Sequence, residues 1–308
     1  MNVKVSKKKV KKYSQQYVQD ERACYIMLLP QIIGFCAFTV IPLAWAISLA
    51  WTHYDMITTR FVGFENFKIL LKDQSYWKVL GNTLLYAVMK IPVELPIALL
   101  LAVLMNRKLK FKGFYRGVFY LPHVISIALI ALTFSNLFSY FGVINSWLLK
   151  LGFTKEPVAW FEKKYTSMWV IVLADIWHSF GVNVLYFIAA LANVPEDVYE
   201  SARLDGAGPV RIFFGITIPM IKPVLQVILM MSIIGTLHIN EMIVVLTNGA
   251  PGGSTFSVMS YIFQNYAPGL TAGSINIGYG CAMSLVTGII LAVITGIYMK
   301  FSEKMKEV

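Results

Sequence analysis

From Met242 to Met299 the chain carries no Lys, Arg, Asp or Glu. A soluble protein interrupts its apolar runs every few residues to keep one face of each element in water, so an uncharged run of this length points to lipid. Composition agrees, with 57% of the 308 residues hydrophobic, a mean hydropathy of +0.64 and only 14% charged, against roughly a quarter in an ordinary soluble domain. The net charge of +11 would fit nucleic acid if it formed a patch. Instead the basic residues cluster beside apolar spans, which argues for membrane topology and against a nucleic-acid partner.

A helix needs about 20 residues to cross the hydrocarbon layer. Six stretches qualify: Ala23–Trp51, Val79–Met105, Gly117–Tyr140, Ser167–Leu191, Pro223–Leu246 and Gly273–Met299. The uncharged but shorter Ser257–Ala267 reads as an interfacial or re-entrant segment. The expected fold class is therefore all-α, a polytopic transmembrane helical bundle. A basic segment (1–22) precedes it and a short tail (300–308) follows the membrane domain (23–299). The apolar run after the basic start is too long for a cleaved signal and lacks a clear small-residue cleavage site. The basic start itself serves as a topology determinant and could lie against anionic lipid.

With the N-terminus inside, the cytoplasmic segments hold eighteen Lys/Arg and the external ones eight, while Lys90 lies within a span. That bias expects both termini in the cytoplasm. Cys24, Cys36 and Cys281 sit in apolar stretches without metal spacing and read as buried thiols. Gly278-Tyr279-Gly280 reads as a point of close helix approach.

The cytoplasmic segment between spans four and five, "EDVYESARLDGAGPVRIFFGITIP" (196–219), breaks the apolar pattern. Pro195, Glu196 and Asp197 resemble a helix start, and Gly206 or Gly208 can supply a positive-φ turn. A second short stretch, Val210–Thr217, then leads to Pro219 and Pro223 at the start of the fifth span. Such a protrusion suits docking to a soluble partner; a solvated connector is the bland alternative.

At this segment the chain resembles the inner-membrane permease subunits of binding-protein-dependent ABC importers of type I. Their cytoplasmic EAA loop reads E-A-A, three residues, G, nine residues, I-x-L-P. Here the corresponding residues are Glu200-Ser201-Ala202, Gly206 and Ile216-Thr217-Ile218-Pro219, with serine for the central alanine and isoleucine for the leucine. The resemblance narrows to the maltose/glycerol-phosphate-type sugar permeases, and to their MalF/UgpA-like member. It does so through "FVGFENF" (61–67), "NTLLY" (82–86), "YRGVFYLP" (115–122) and "LTNGAPGGST" (246–255), the last with Ala250 where glycine is usual. It implies that Glu200, Ser201, Ala202, Asp205 and Gly206 couple to an ATPase. It also implies a homologous second permease, two ATP-binding-cassette subunits holding ATP and Mg²⁺, an extracellular or periplasmic solute-binding protein and a carbohydrate substrate. The setting would be a bacterial or archaeal inner membrane. No G-x-x-x-x-G-K-[ST] loop is present to hold phosphates on this chain, so no bound cofactor and no enzymatic activity are expected of it.

Polar residues at membrane depth are functional candidates. Lys90 and Glu94 are four apart and can face each other, either as a packing pair or in the translocation path. Asp175 and His178 can share a face, but two ligands do not complete a metal shell. His238, Asn240 and Glu241 offer hydroxyl-bonding groups, and Tyr261, Tyr266 and Tyr279 offer either stacking surfaces for a sugar or interfacial anchors. The same ionisable pairs would also suit an ion- or proton-coupled secondary transporter acting alone; the spaced cytoplasmic loop outweighs them. Which carbohydrate or polyol is carried, glycerol phosphate included, is left open by these residues.

Overall fold

A computed structural model describes residues 23–106, 110–267 and 275–304. The basic start, residues 107–109 and residues 268–274 lie outside the described residues, as does the last part of the tail. Helices dominate: α1 (Ala23–Leu49), α2 (Glu65–Lys72), α3 (Gln74–Asn106), α4 (Lys112–Val124), α5 (Ile127–Leu137), α6 (Val143–Lys150), α7 (Lys164–Ala192), α8 (Glu196–Leu204), α9 (Pro209–Leu237), α10 (Glu241–Leu246), α11 (Val258–Tyr266) and α12 (Ile277–Lys304). A small antiparallel hairpin, β1 (Thr52–Tyr54) with β2 (Thr59–Phe61), pairs Thr52 with Phe61 and Tyr54 with Thr59.

Five helices, α1, α3, α7, α9 and α12, are long and apolar enough to cross a membrane, and α4 with α5 makes a sixth crossing if the bent pair counts as one span. The centre of the bundle is α3 against α7. Leu95, Ala98, Leu99 and Ala102 of α3 meet Val184, Phe187 and Ile188 of α7 in one buried cluster. Small residues let the two backbones approach, which is how helices pack where lipid removes the hydrophobic drive. By contrast α1 is nearly all exposed in the isolated chain, with only Leu49 buried at its end.

Two spans differ from the sequence expectation. Gly117–Tyr140 is not one rod, because α4 and α5 meet at 90°. Ile125 and Ser126 are extended there, and each half then packs on a different neighbour, α4 on α7 and α5 on α10. The fifth span lies further towards the N-terminus than Pro223–Leu246. It begins at Pro209 and ends at Leu237, so that the second half of the 196–219 segment and the span are one helix. Pro219 lacks an N–H and its ring crowds the carbonyl one turn back. The π turn at Phe213–Thr217 occupies that turn and shifts the ladder, so the helix continues through the proline. Smaller shifts occur elsewhere: α3 starts at Gln74, and α12 runs past Met299 to Lys304.

The motif-bearing loops are tied to the bundle by side chains. Asn66 of "FVGFENF" is buried and donates to the carbonyls of Ala50 and Thr52, both at 2.9 Å. Its own oxygen accepts from Asn276 at the start of α12. Asn82 of "NTLLY" donates to the Phe256 carbonyl at 3.1 Å, while Thr83 accepts from the Val258 amide at 3.0 Å. The "LTNGAPGGST" loop closes through a Thr247–Thr255 hydroxyl pair. Its positive-φ positions fall on Asn248, Gly249, Gly252 and Gly253, so the methyl of Ala250 meets no such demand.

Candidate functional site

Three polar sites occur on this framework. The first is the protruding 196–219 segment. Pro195 precedes α8, and Glu196 and Asp197 occupy its first turn, where carboxylates favour the positive helix end. The Ala207 amide returns to the Ala202 carbonyl at 2.9 Å and the Gly206 amide to that of Arg203 at 3.1 Å. Gly206 takes φ +77° in this closure, the left-handed conformation that favours glycine after a helix. Gly208, at φ −71°, does not share that role. Ser201 turns its hydroxyl back to the Asp197 carbonyl. Only Ala202 of the helix is buried, whereas Glu200, Ser201, Asp205 and Gly206 are exposed. Sequence reasoning missed the apolar members of this face. Leu204 is 89% and Val210 70% exposed, and an apolar side chain in an otherwise charged protrusion was the available signal.

The second site is a polar seam between α3 and α7. Lys90 Nζ lies 2.5 Å from Asp175 Oδ2 and 3.5 Å from Glu94 Oε2. Tyr86 donates to the same Asp175 oxygen. Glu94 Oε1 accepts from Ser179 Oγ at 2.6 Å and from Asn183 Nδ2 at 2.9 Å. Each carboxylate is thus charge-paired and hydrogen-bonded, which is what burial of ions requires. The i,i+4 pair was readable, but Tyr86, Ser179 and Asn183 were not. Asp175 and His178 do not hydrogen-bond to each other among the described residues. The His178 ring instead meets His123 of α4 at 5.0 Å between centroids. No cluster of three or more metal-ligating side chains occurs among the described residues.

The third site is a groove beside α9, α11 and α12. One cavity of about 410 Å³ is lined by His238, Asn240, Met259, Tyr266, Cys281 and Ser284 among others. A second, of about 440 Å³, shares His238, Met259 and Ser284 and continues along α12. The helix break at His238–Asn240 makes the first possible, since α9 ends at Leu237 and Asn240 takes φ −139°, ψ −69° before α10. Ser257 Oγ satisfies the freed Ile239 carbonyl at 2.6 Å, and His238 Nδ1 lies 2.8 Å from the Ile234 carbonyl. Asn240 Oδ1 is buried and has no hydrogen-bond partner among the described residues. Glu241 is exposed at the first turn of α10.

Of the three tyrosines, Tyr266 lines the cavity. Tyr279 is buried and donates to Asp73 Oδ2 at 2.7 Å, which ties α12 to the start of α3. Tyr261 bridges Phe256 and Tyr266 edge to face.

A membrane bundle with an exposed helix–glycine–helix element and a lateral polar groove describes a transport permease. Comparison with known proteins places it. Residues 94–307 match the profile of the family described as binding-protein-dependent transport system inner membrane component. The chain is 34% identical to the probable ABC transporter permease protein YesP of Bacillus subtilis, over 95% of this chain and 94% of that one. It is 32% identical to the arabinooligosaccharides transport system permease protein AraP of the same organism, over 94% and 91%. With the trehalose/maltose transport system permease protein MalF of Thermococcus litoralis it shares 30% identity over 92% and 94%. A solved bacterial ABC transporter involved in import of the acidic polysaccharide alginate has the same fold, with TM-score 0.82 and 23% identity over 95% of this chain and 99% of that one. The chain belongs to the family of binding-protein-dependent transport system inner membrane components. It is a multi-pass inner-membrane permease subunit of an ATP-driven ABC importer, in which ATP hydrolysis is the work of a separate component.

Proposed function

We propose that the chain forms, with a homologous second permease, the path of a carbohydrate importer driven by two ATP-binding-cassette subunits. Its termini lie in the cytoplasm, and an external solute-binding protein delivers the sugar. ATP and Mg²⁺ are held by the ATPase subunits. The observation that carries the reading is α8, an exposed nine-residue helix closed by Gly206 at positive φ and set directly between α7 and α9. Glu200, Ser201 and Asp205 present acceptors to a groove on the ATPase, and Leu204 adds an apolar anchor of the kind that dominates docking surfaces. Relatives whose names give arabinooligosaccharides and trehalose/maltose support a saccharide cargo.

Saccharides are recognised by hydroxyl-bonding groups beside apolar or aromatic surface. His238, Asn240 and Tyr266 meet that description in the groove, whereas Asp175 and His178 lie on α7, outside its lining. Closure of the ATPase dimer moves α8, and α7 and α9 follow, opening the groove alternately to either side. The seam of Lys90, Glu94 and Asp175 holds α3 to α7 during this movement.

Purification from a membrane expressing the whole transporter tests the reading. A stoichiometric ATPase partner, with ATP-dependent uptake of labelled sugars into vesicles, is expected. Uptake at full rate by this chain alone would sink it.

A further inference from the structure

We propose that α6, with the residues on either side of it, is an interfacial anchor that lies in a headgroup layer of the bilayer and presents Lys150 to the phosphates of anionic phospholipid. The inference is independent of the cargo. From Tyr140 to Thr154 the sequence carries one charge, Lys150. Phe141, Trp147, Leu151 and Phe153 in that stretch are between 61% and 89% exposed. Left in water, apolar surface of this kind forfeits the gain of burial, so something covers it.

The stretch is held stiffly. Asn145 is buried; its Nδ2 donates to the Tyr140 and Val158 carbonyls at 3.0 and 2.9 Å, and its Oδ1 accepts from the Val158 amide at 3.1 Å and from Trp160 Nε1 at 3.0 Å. The Leu151 amide returns to the Trp147 carbonyl at 2.9 Å, which sets those two side chains on one face. Gly152, at φ +74°, then turns the chain so that the Phe153 amide reaches the Leu148 carbonyl at 3.0 Å. Ile144 packs the other way, onto the buried cluster shared by α5, α7 and α10.

The same bonds fix the height of α6. The Trp160 carbonyl accepts from the Thr166 and Ser167 hydroxyls at 2.6 and 3.2 Å, so the Asn145 network hangs on the first turn of α7. The 29 residues of α7 make roughly 44 Å, against about 30 Å of hydrocarbon and about 40–45 Å with the headgroups included. Its first turn, at the end remote from α8, therefore stands in a headgroup layer, and α6 stands with it.

Two observations favour lipid over protein as the cover. Tyr165, Trp169 and Leu173 are exposed at four-residue spacing along α7, while Met168, Ile171 and Val172 between them are buried. An apolar stripe on a spanning helix thus begins at the turn to which α6 is tied, and it begins with Tyr and Trp, the residues of membrane boundaries. Lys150 is exposed among the apolar side chains and makes no ion pair among the described residues. A lysine stem lies along apolar surface while its ammonium reaches a phosphate, whereas the core of a protein interface is depleted of lysine. A partner that docks and leaves would also return the four apolar side chains to water in every cycle.

The test uses the complete transporter in phospholipid nanodiscs. On a background of Cys24→Ala, Cys36→Ala and Cys281→Ala, a nitroxide is placed at Leu151→Cys or Phe153→Cys, with Leu173→Cys as the lipid reference and Glu156→Cys as the water reference. Collision with oxygen, which concentrates in lipid, is compared with collision with a nickel chelate, which stays in water. The oxygen-to-nickel ratio at both anchor positions is expected to be at least about threefold that at Glu156→Cys. A ratio equal to the water reference overturns the proposal. Exclusion of both reagents, with or without the solute-binding protein, means that protein covers the segment and overturns it too. A second measurement needs no cysteine variant: phosphatidylglycerol with a photoreactive group beside its phosphate is expected to label residues 141–153 as well as the α7 stripe. Lys150→Gln is expected to lower labelling of 141–153 by at least about twofold. Labelling of the stripe without 141–153, or labelling unchanged in Lys150→Gln, overturns the proposal.

Discussion

Lys90 Nζ of α3 sits 2.5 Å from Asp175 Oδ2 of α7, joining the two helices at the centre of the bundle by an ion pair at membrane depth. Removing one partner leaves an unmatched buried charge, which typically costs about 3–5 kcal/mol. Lys90→Met is therefore expected to lower the thermal midpoint of the detergent-purified complex sharply. Lys90→Met combined with Asp175→Leu should recover part of that loss, since only Glu94 is then unmatched. A double variant less stable than Lys90→Met alone would show that the pair is not coupled.

Gly206 closes α8 at φ +77°. A β-branched residue in that conformation costs on the order of 1–2 kcal/mol, and the protrusion must rearrange to relieve it. Gly206→Val should lower the amount of sugar moved per ATP hydrolysed, or weaken retention of the ATPase, while the permease still inserts. A normal transport-to-hydrolysis ratio with normal ATPase retention would count against α8 as the coupling element.

Gly181 of α7 faces the Phe119 backbone carbonyl of α4 so closely that a Cβ would collide with it. Gly181→Ala must push α4 off α7, and overpacking of this kind costs about 1–3 kcal/mol. Gly117 of α4 has open space at its Cβ position, so Gly117→Ala is expected to be near neutral. Thermal unfolding of the two variants, side by side, checks the contrast.

Asn66 supplies the donor for two carbonyls after α1 and reaches Asn276 across more than two hundred residues. Buried acceptors that lose their donor cost about 1–3 kcal/mol each. Asn66→Ala should speed hydrogen exchange of the Thr52–Phe61 hairpin and of the first turn of α12 together. Faster exchange in the hairpin alone would mean that the two are not pinned by this side chain.

At the hairpin tip, Asp55 accepts from the amides of Thr58 and Ile57, and these bonds hold its carboxyl below the ordinary carboxylate value. A lowered folded-state value makes the turn's contribution full above the ordinary carboxylate range and lost as pH falls through the lowered one. Exchange at Ile57 and Thr58 should accelerate in acid in the native protein. In Asp55→Asn that pH dependence, beyond the intrinsic rate, should vanish.

Most of the fold was legible because lipid demands long apolar helices, and the expected spans lie wholly within α3 and α7, which extend beyond them mainly at their starts. The 90° corner between α4 and α5 was not. Ile125 and Ser126 carry no glycine or proline signal, and the corner depends on the surfaces that α7 and α10 offer. The break at His238–Asn240 was hidden for a similar reason: apolar residues on both sides continue the pattern, and the bonds that satisfy the broken backbone come from Ser257, far along the chain.

The same division holds for the polar sites. Lys90 with Glu94 lies within one helix and can be read from spacing. Lys90 with Asp175 is a pairing between helices, which no single-segment pattern contains. Tyr261, Tyr266 and Tyr279 look equivalent in sequence. They differ because Asp73 claims Tyr279 while Tyr266 is left facing the groove.

The continuity of α9 has a mechanical result. At 1.5 Å per residue its 29 residues make a shaft of roughly 44 Å, with one end beside the α8 knob and the other at the rim where His238 stands. There is no loop along its length to absorb a tilt. Whatever tilt is applied at Pro209 is handed on to the wall of the groove, so displacement at one end and opening at the other are two readings of one lever.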